Sequence, residues 1–543
     1  MLKFVFGRAI PWSRSSPAGP DGTAVESGLW GHARRQNSDA APTRFWQPRK
    51  WMYDVVIIGS GYGGSVIAAR LAARHRVLIV ERGRRWTPGE FPAGVLGLGR
   101  QYMSKHNPGG LWAMRLGDGT GNAFASAYGG SSVVNYGITA EPDAAAFAGW
   151  PIEAGALAAP MKRALEVLRP SINPIGDQLG DKQFLDRVEP GARVDLMNTI
   201  DWELCDQCGR CVPGCNRGAK RSLDRSYLDM ATRAGAEVRL ETVAIRIEPV
   251  PGGWGVELQP GAGGAVEQVQ TRQLVLAAGT LGTLDLLQRS RDRVPVGARF
   301  GQAMSMNGDG LAFLYDTRYQ LSSHSGAPIS TSVRLPFQAP DGSTRTLMVM
   351  SGRVPMAAMR FTGAALAVLG DALGMNGAGT AAGLGGLRRR LRDLLGVSER
   401  GALAHSFMYK LDGQDASRGT ARFTDGGAVI DWPDYADDPV MQFAERRLRT
   451  WAMKVGGKVI PNVARLPGMR SFSVHPLGGC RMGRSVDDGV VDSFGRVFDP
   501  RGGVHAGLRI ADGSILPGSL GVPPSLTITA LAERIAENMQ AAA

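Results

Sequence analysis

The stretch Tyr53–Gly83, YDVVIIGSGYGGSVIAARLAARHRVLIVERG, decides the fold. Tyr53 to Ile58 read as a buried strand because the segment is dominated by apolar, β-branched residues. Gly59, Gly61 and Gly64 then form G-x-G-x-x-G at the opening of a helix that continues through Ser65 to Ala73. Val77 to Val80 make the next strand, which ends at Glu81. Gly59 permits the tight turn, Gly61 lets the backbone approach a pyrophosphate, and Gly64 lets helix and strand pack closely. The helix start offers unpaired N–H groups to the diphosphate, and Glu81 offers a carboxylate to the ribose hydroxyls. An acid at that place suits an unphosphorylated adenosine ribose, which leaves FAD or NAD and argues against NADP.

Outward from this motif, the chain is that of an ordinary globular protein, with 43% hydrophobic and 20% charged residues among 543. Its 62 basic and 49 acidic side chains give a net charge of +13. No basic stripe with interleaved aromatics accompanies that charge, so no nucleic-acid partner is expected. No apolar run is long enough to span a membrane. Residues 1–51 are rich in Pro, Ser, Gly and Arg without periodicity and read as a disordered extension. Arg34-Arg35 lacks a following apolar region, so export is not expected and a cytoplasmic setting is.

Gln273 to Gly279 (QLVLAAG) form a second strand entering a glycine turn, followed by a helix over Thr280 to Arg289 with Thr280 as its cap. Near the end, GLRIADGSILPGSLGVPPSLTITALAERIAENM supplies a strand, the Asp512-Gly513 turn and a last helix from about Ser525 to Met539. Together with GGSSVVNYG (Gly129–Gly137), GAKRSLDRSYLDMATRAGAEV (Gly218–Val238), VLAAGTLGT and HPLGGCRMG (His475–Gly483), these segments resemble the glucose–methanol–choline (GMC) oxidoreductases, in particular their cholesterol oxidase-like branch. The resemblance runs from Met52 to Met539 and implies a Rossmann-like α/β FAD-binding domain with an inserted antiparallel-sheet substrate domain. It also implies FAD with its adenosine at Gly59–Glu81 and a backbone contact from Val243 to adenine. The isoalloxazine would lie against Gly130, Ser131 and Asn135 and against Asp512 and Gly513. The expected division is 52–310 for the first part of the FAD domain, 311–470 for the substrate domain and 471–543 for the remainder of the FAD domain.

Oxidising an alcohol removes a proton from oxygen and a hydride from carbon. His475 lies in a turn bounded by Pro476 and glycines and is the candidate base, a role the resemblance strengthens. The family pairs this histidine with a second His or Asn before the last helix, where this chain has Pro523. Proline has no side-chain donor and no N–H, so another group must orient the substrate hydroxyl, Asn135 being one candidate.

In residues 311–470, SVRLPF, TRTLMVMSGRV and TARFTDGGAVIDW alternate as strands of an antiparallel sheet. GLRRRLRDLLG places Leu387, Leu391, Leu394 and Leu395 on one helical face, opposite Arg388, Arg389 and Arg392. Two readings remain: a basic amphipathic lid in peripheral contact with a membrane, or a helix whose leucines pack on its own domain while its arginines face water. The apolar character of this region points to a lipophilic, sterol-like or aromatic alcohol.

Cys205, Cys208, Cys211 and Cys215 follow C-x2-C-x2-C-x3-C, the spacing of bacterial ferredoxins. Some bacterial glucose dehydrogenase subunits of the GMC family carry an iron–sulfur cluster on a similar loop, and Cys205, Cys211 and Cys215 match that spacing best. A four- or three-iron cluster and reduced structural thiols are the main readings, with zinc and disulfides disfavoured by spacing and compartment. The expected function is FAD-dependent oxidation of an alcohol, passing electrons to oxygen, a quinone or a cytochrome. The alternative is a flavin/iron–sulfur subunit that relays electrons within a dehydrogenase complex.

Overall fold

A computed structural model describes residues 52–92, 97, 101–104, 107–118, 120–261, 263–321, 329–352, 359–372, 384–460 and 471–541. Expectations for residues 1–51 lie outside these. The strand Tyr53–Ile58 forms as its composition predicts, with Val56 and Ile57 fully buried. It pairs in parallel with Val77–Val80 on one side and with Glu267–Leu276 on the other. The helix between the first two strands spans Tyr62–Leu71 and begins earlier than its apolar run, with Gly61 as its N-cap.

The sheet has eight strands. Its main path runs Thr242–Val250, Gly253–Pro260, Glu267–Leu276, Tyr53–Ile58, Val77–Val80 and Glu237–Arg239. The late strand Val504–Ile510 adds in parallel to Glu267–Leu276 through Leu274–Leu508 and Leu276–Ile510. This pairing brings the C-terminal segment beside the glycine loop. The last helix, Ser525–Ala541, buries Leu526, Thr529, Ala530 and Ile535 as its periodicity predicts. It packs against the Tyr62–Leu71 helix, where Arg70 makes a two-pronged ion pair with buried Glu533.

A second, antiparallel sheet has six strands in the order Lys458–Ile460, Gly310–Tyr315, Phe407–Gly413, Thr344–Gly352, Thr331–Gln338 and Arg193–Asp195. Its edge strand Arg193–Asp195 comes from far upstream in the chain. TARFTDGGAVIDW does form two strands, Thr420–Thr424 and Gly427–Asp431, but these make a hairpin of their own outside the six-stranded sheet. The fold is thus mixed α/β, with a Rossmann-like sheet and an antiparallel-sheet region.

Two local expectations are corrected. The helix Thr280–Arg289 has Gly279 as its N-cap, and the Thr280 hydroxyl donates instead to the Pro476 carbonyl at 2.6 Å. It thereby ties this helix to the turn carrying His475. The helix Leu384–Leu394 also turns the opposite way from the packed alternative. Leu387, Leu391 and Leu395 are 64%, 53% and 73% exposed. Arg389 and Arg390 instead reach inward to the buried Asp316. Asp393 on the same side accepts from Tyr315 Oη at 2.8 Å and from the Leu403 N–H at 2.9 Å. A buried carboxylate must be paired, so Arg389, Arg390 and Asp393 face inward, while Arg388, Arg392 and the leucines are left outside. Among the described residues no helix is long and apolar enough to cross a membrane.

Candidate active site

The glycine loop is shaped by three different contacts. Gly59 has φ +103°, and a Cβ there would sit 2.1 Å from the Ala277 carbonyl oxygen. A Cβ on Gly64 would meet the Gly59 carbonyl oxygen at 2.0 Å. At Gly61 a Cβ would meet nothing within 4 Å, so its open side faces the helix entrance. The Tyr62–Leu71 helix has no side-chain cap, leaving its first N–H groups for a ligand. Gly130 approaches the loop so closely that its Cβ position lies 3.0 Å from Gly61 Cα. It opens the short 3₁₀ turn Gly130–Val133, in which Ser131 is exposed.

Glu81 is buried and holds the loop from the side. One carboxylate oxygen accepts from the Ser60 N–H at 3.0 Å and the Ser60 hydroxyl at 2.6 Å, and the other accepts from the Gly83 N–H at 2.7 Å. Three of its roughly four acceptor directions are thus engaged, leaving one for a further donor. The Thr242 N–H donates to the Glu81 carbonyl, which sets Val243 beside it. An open glycine face, an uncapped helix start and a strand-end carboxylate fit the adenosine diphosphate of FAD.

Asn135 is held at both its side chain and its carbonyl. Its amide donates to Tyr62 Oη at 2.8 Å, its side-chain oxygen accepts from the Gly137 N–H, and its carbonyl accepts from Lys220 Nζ. Burial of its hydroxyl end pushes Tyr62 up to about 12, so the phenol stays neutral. Asp512 is buried and ties Ser514 to Thr283. Burial holds its carboxyl above the ordinary range despite those donors. Gly513 accepts through its carbonyl from the Gly478 N–H, so the Asp512-Gly513 turn braces the His475 turn.

His475 is where the two sheets' contributions meet. Its side chain is 18% exposed, and its Nδ1 lies 3.1 Å from Asp412 Oδ1 and 3.7 Å from Asp309 Oδ2. Lys410 and Asp412 lie two residues apart on the strand Phe407–Gly413 and so share a face. Asp309 precedes the neighbouring strand, whose Gly310 pairs with Leu411. Lys410 Nζ donates to Asp309 Oδ1 and, at 2.8 Å, to Asp412 Oδ1. Burial would push the Lys410 amine down, but the two carboxylates hold it above the ordinary lysine range. Burial would push Asp412 up, but Lys410 and His475 hold it below the usual carboxylate range. Asp309 Oδ2 also accepts from the Val474 N–H at 2.6 Å, and Ser473 Oγ accepts from the His475 N–H at 2.9 Å. The turn is therefore fixed at three successive residues. Sequence reading found His475 but missed Asp309, Lys410 and Asp412, which are distant from it in the chain. The weak signal was a lysine and an aspartate at i, i+2 in an otherwise apolar strand.

The loop before the last helix is held by Asn307, which donates to the Val522 carbonyl and accepts from the Leu520 N–H, both at 2.8 Å. Pro523 follows and is buried.

The four cysteines of the 205–215 loop are free thiols, as is Cys480. Among the described residues, the one group of three ligand-type side chains within 4.8 Å is Asp309, Asp412 and His475. The thiols thus do not converge at the short sulfur spacing of a single tetrahedral ion. Burial pushes Cys211 up to about 12, and burial pushes Lys220 down to about 8. A small cleft lined by Trp86, Phe91, Val133, Cys215, Lys220 and Asp224 joins this loop to the turn at Gly130–Asn135.

A dinucleotide-binding sheet beside a histidine turn, which follows the strand Ser471–Ser473 of a separate three-stranded sheet, has the form of an oxidoreductase that binds a dinucleotide cofactor. Two family models, both described as GMC oxidoreductase, match residues 53–301 and 419–532. The chain belongs to the GMC oxidoreductases and is an FAD-dependent enzyme acting on the CH–OH group of donors. A cholesterol oxidase of Acinetobacter baumannii is 26% identical over 554 residues, spanning 89% of this chain and 93% of that protein. A long-chain-alcohol oxidase of Arabidopsis thaliana is 23% identical over 90% of this chain and 67% of that protein. Among solved structures, pyridoxine 4-oxidase from Mesorbium loti has a TM-score of 0.60 at 18% identity, covering 90% of this chain and 99% of that one, a likeness of fold.

Proposed function

We propose that this protein oxidises a lipophilic alcohol, sterol-like or long-chain, to its carbonyl, with His475 as the proton acceptor and oxygen as the electron acceptor. The observation that carries this reading is the hydrogen bond between His475 Nδ1 and Asp412. A carboxylate only accepts, so Nδ1 donates and Nε2 carries the free lone pair. Bound FAD supplies the hydride acceptor for the carbinol carbon. Gly59, Gly61, Gly64 and Glu81 would hold its adenosine half, and Gly130, Ser131, Asn135, Asp512 and Gly513 would shape the flavin side. Val243, next to Thr242 whose N–H donates to the Glu81 carbonyl, would meet adenine. The substrate class rests on relatives named for cholesterol and long-chain alcohols.

The test is anaerobic mixing of the purified yellow protein with cholesterol, 1-dodecanol and benzyl alcohol in detergent. The reading predicts bleaching of the flavin band by one of the first two and formation of hydrogen peroxide on admitting air. Failure of all three alcohols to reduce the flavin would contradict it.

A second reading concerns the acceptor. The Lys220 bond to the Asn135 carbonyl ties the cysteine loop to the proposed flavin site, where a cluster on Cys205, Cys208, Cys211 and Cys215 would take electrons singly towards a quinone or cytochrome. Iron and acid-labile sulfide assayed on anaerobically purified protein decide it: three or four irons per chain support the relay, and none supports reduced thiols. The exposed leucines at 387, 391 and 395 further suggest a peripheral membrane contact through which such an alcohol enters.

A further inference from the structure

We propose that Lys410 is a positioning residue for the oxidation. By bridging Asp309 and Asp412 it holds Asp412 as the acceptor of the His475 Nδ1–H and leaves Nε2 free to take the substrate's hydroxyl proton. The inference rests on the reading of His475 as the base and adds which group keeps its Nδ1 bond in place.

The geometry is unusual for a structural ion pair. Lys410, Asp309 and Asp412 are all buried, and both carboxylates compete for one ammonium. A buried ion triad of this kind is weak as a source of stability, because desolvation offsets most of the attraction. Its net charge is one negative while the imidazole is neutral, and zero once the imidazole carries a proton. Proton transfer from the alcohol to Nε2 therefore neutralises the buried cluster, while the hydride leaves the carbinol carbon as the C=O bond forms. Without Lys410, two buried carboxylates would face each other and one would take up a proton. Asp412 could then donate to Nδ1 and force the imidazole into the tautomer whose Nε2 is already protonated.

The remaining groups around the cluster do not supply this charge. Tyr435, whose hydroxyl points at the Asp309 carbonyl, is raised far above its ordinary value by burial and by Asp415, Asp309, Asp438 and Asp412, and stays neutral. Burial and Asp438 push Asp415 up to about 6, and it is engaged by Ser305, Met306, Gly308 and Ser417. Asp412 Oδ2 is buried without a hydrogen-bond partner, so Oδ1, shared by Lys410 and His475, carries all of that side chain's bonding.

The experiment uses FAD-loaded protein labelled with 15N-histidine, with the His475 signals identified by their loss in His475→Gln. Wild type is expected to show the Nδ1–H tautomer. Lys410→Met is expected to show the Nε2–H tautomer and flavin reduction by cholesterol or 1-dodecanol slowed about 100-fold. Adding Asp309→Asn to Lys410→Met leaves Asp412 as the single charge, and is expected to restore both the tautomer and most of the rate. This double variant, compared with Asp309→Asn alone, also serves if Lys410→Met does not fold. An unchanged tautomer in Lys410→Met, or in the folded double variant no recovery over the single one, overturns the proposal. A tautomer switch with no change in flavin reduction supports the positioning and contradicts the reading of His475 as the base.

Discussion

His475 and Asp412 are bonded through Nδ1 and Oδ1 at 3.1 Å, although 62 residues intervene between them and they come from different parts of the fold. The imidazole is thereby oriented by the antiparallel sheet while its turn is braced by the FAD-binding sheet. Asp412→Asn leaves the shape intact but lets the amide donate to Nδ1, reversing the tautomer. Flavin reduction is expected to fall about 10²–10⁴-fold, the span of general-base catalysis, with FAD content unchanged. Stopped-flow reduction of the variant, beside its flavin-to-protein absorbance ratio, checks this.

Gly61 and Gly59 separate binding from folding. Gly61 has φ −69° and empty space around a Cβ, so Gly61→Ala should lose FAD and melt at the temperature of the wild-type apo form. Gly59→Ala combines φ +103° with a clash on the Ala277 carbonyl, and the conformation alone costs roughly 1–3 kcal/mol. It should lower the melting temperature even without FAD. Thermal denaturation of apo and holo forms distinguishes the two.

Lys220 predicts a pH dependence of stability. Its folded value, pushed down to about 8 by burial, lies below the ordinary 10.5. As pH falls from 10.5 to 8 the unfolded chain takes up this proton first, so the lysine's contribution to stability declines in that window and is level below it. The total is on the order of 3 kcal/mol. In urea titrations at pH 8 and pH 10, Lys220→Met should lose this component relative to wild type, whose thiols add a slope of their own in both proteins.

The leucine face predicts a contact rather than a core. Replacing Leu387, Leu391 and Leu395 by Gln should leave the melting temperature within about 1 °C, because exposed leucines contribute little to folding. Sedimentation with anionic phospholipid vesicles should fall several-fold for the triple variant. A large loss of stability would instead mean that these leucines are covered within the protein.

The sequence made the dinucleotide half legible because its determinants are local. Strand period, glycine spacing and a terminal acid all lie within Tyr53–Gly83, and the strand bounds follow from them, while the helix ends at Leu71, short of the expected Ala73. The orientation of Leu384–Leu394 was not legible: amphipathicity identifies two faces, but Asp316, 68 residues upstream, decides which one packs. Asn135 was legible as a candidate for the role absent at Pro523, but its bonds to Tyr62 and Gly137 depend on tertiary contacts that the sequence does not display. The Asp309–Lys410–Asp412 cluster escaped for the same reason, since buried charges are paired by tertiary contact and carry no periodic signature.

The central claim is that His475 takes the alcohol's proton as hydride leaves. The most direct measurement is anaerobic stopped-flow reduction of His475→Gln by 1-dodecanol or cholesterol, whichever reduces wild type, using protein with full FAD content. The account predicts a fall of about 10²–10⁴-fold in the limiting rate of flavin reduction, with little change in the alcohol's apparent dissociation constant. A variant that binds FAD normally and is reduced at the wild-type rate would contradict it.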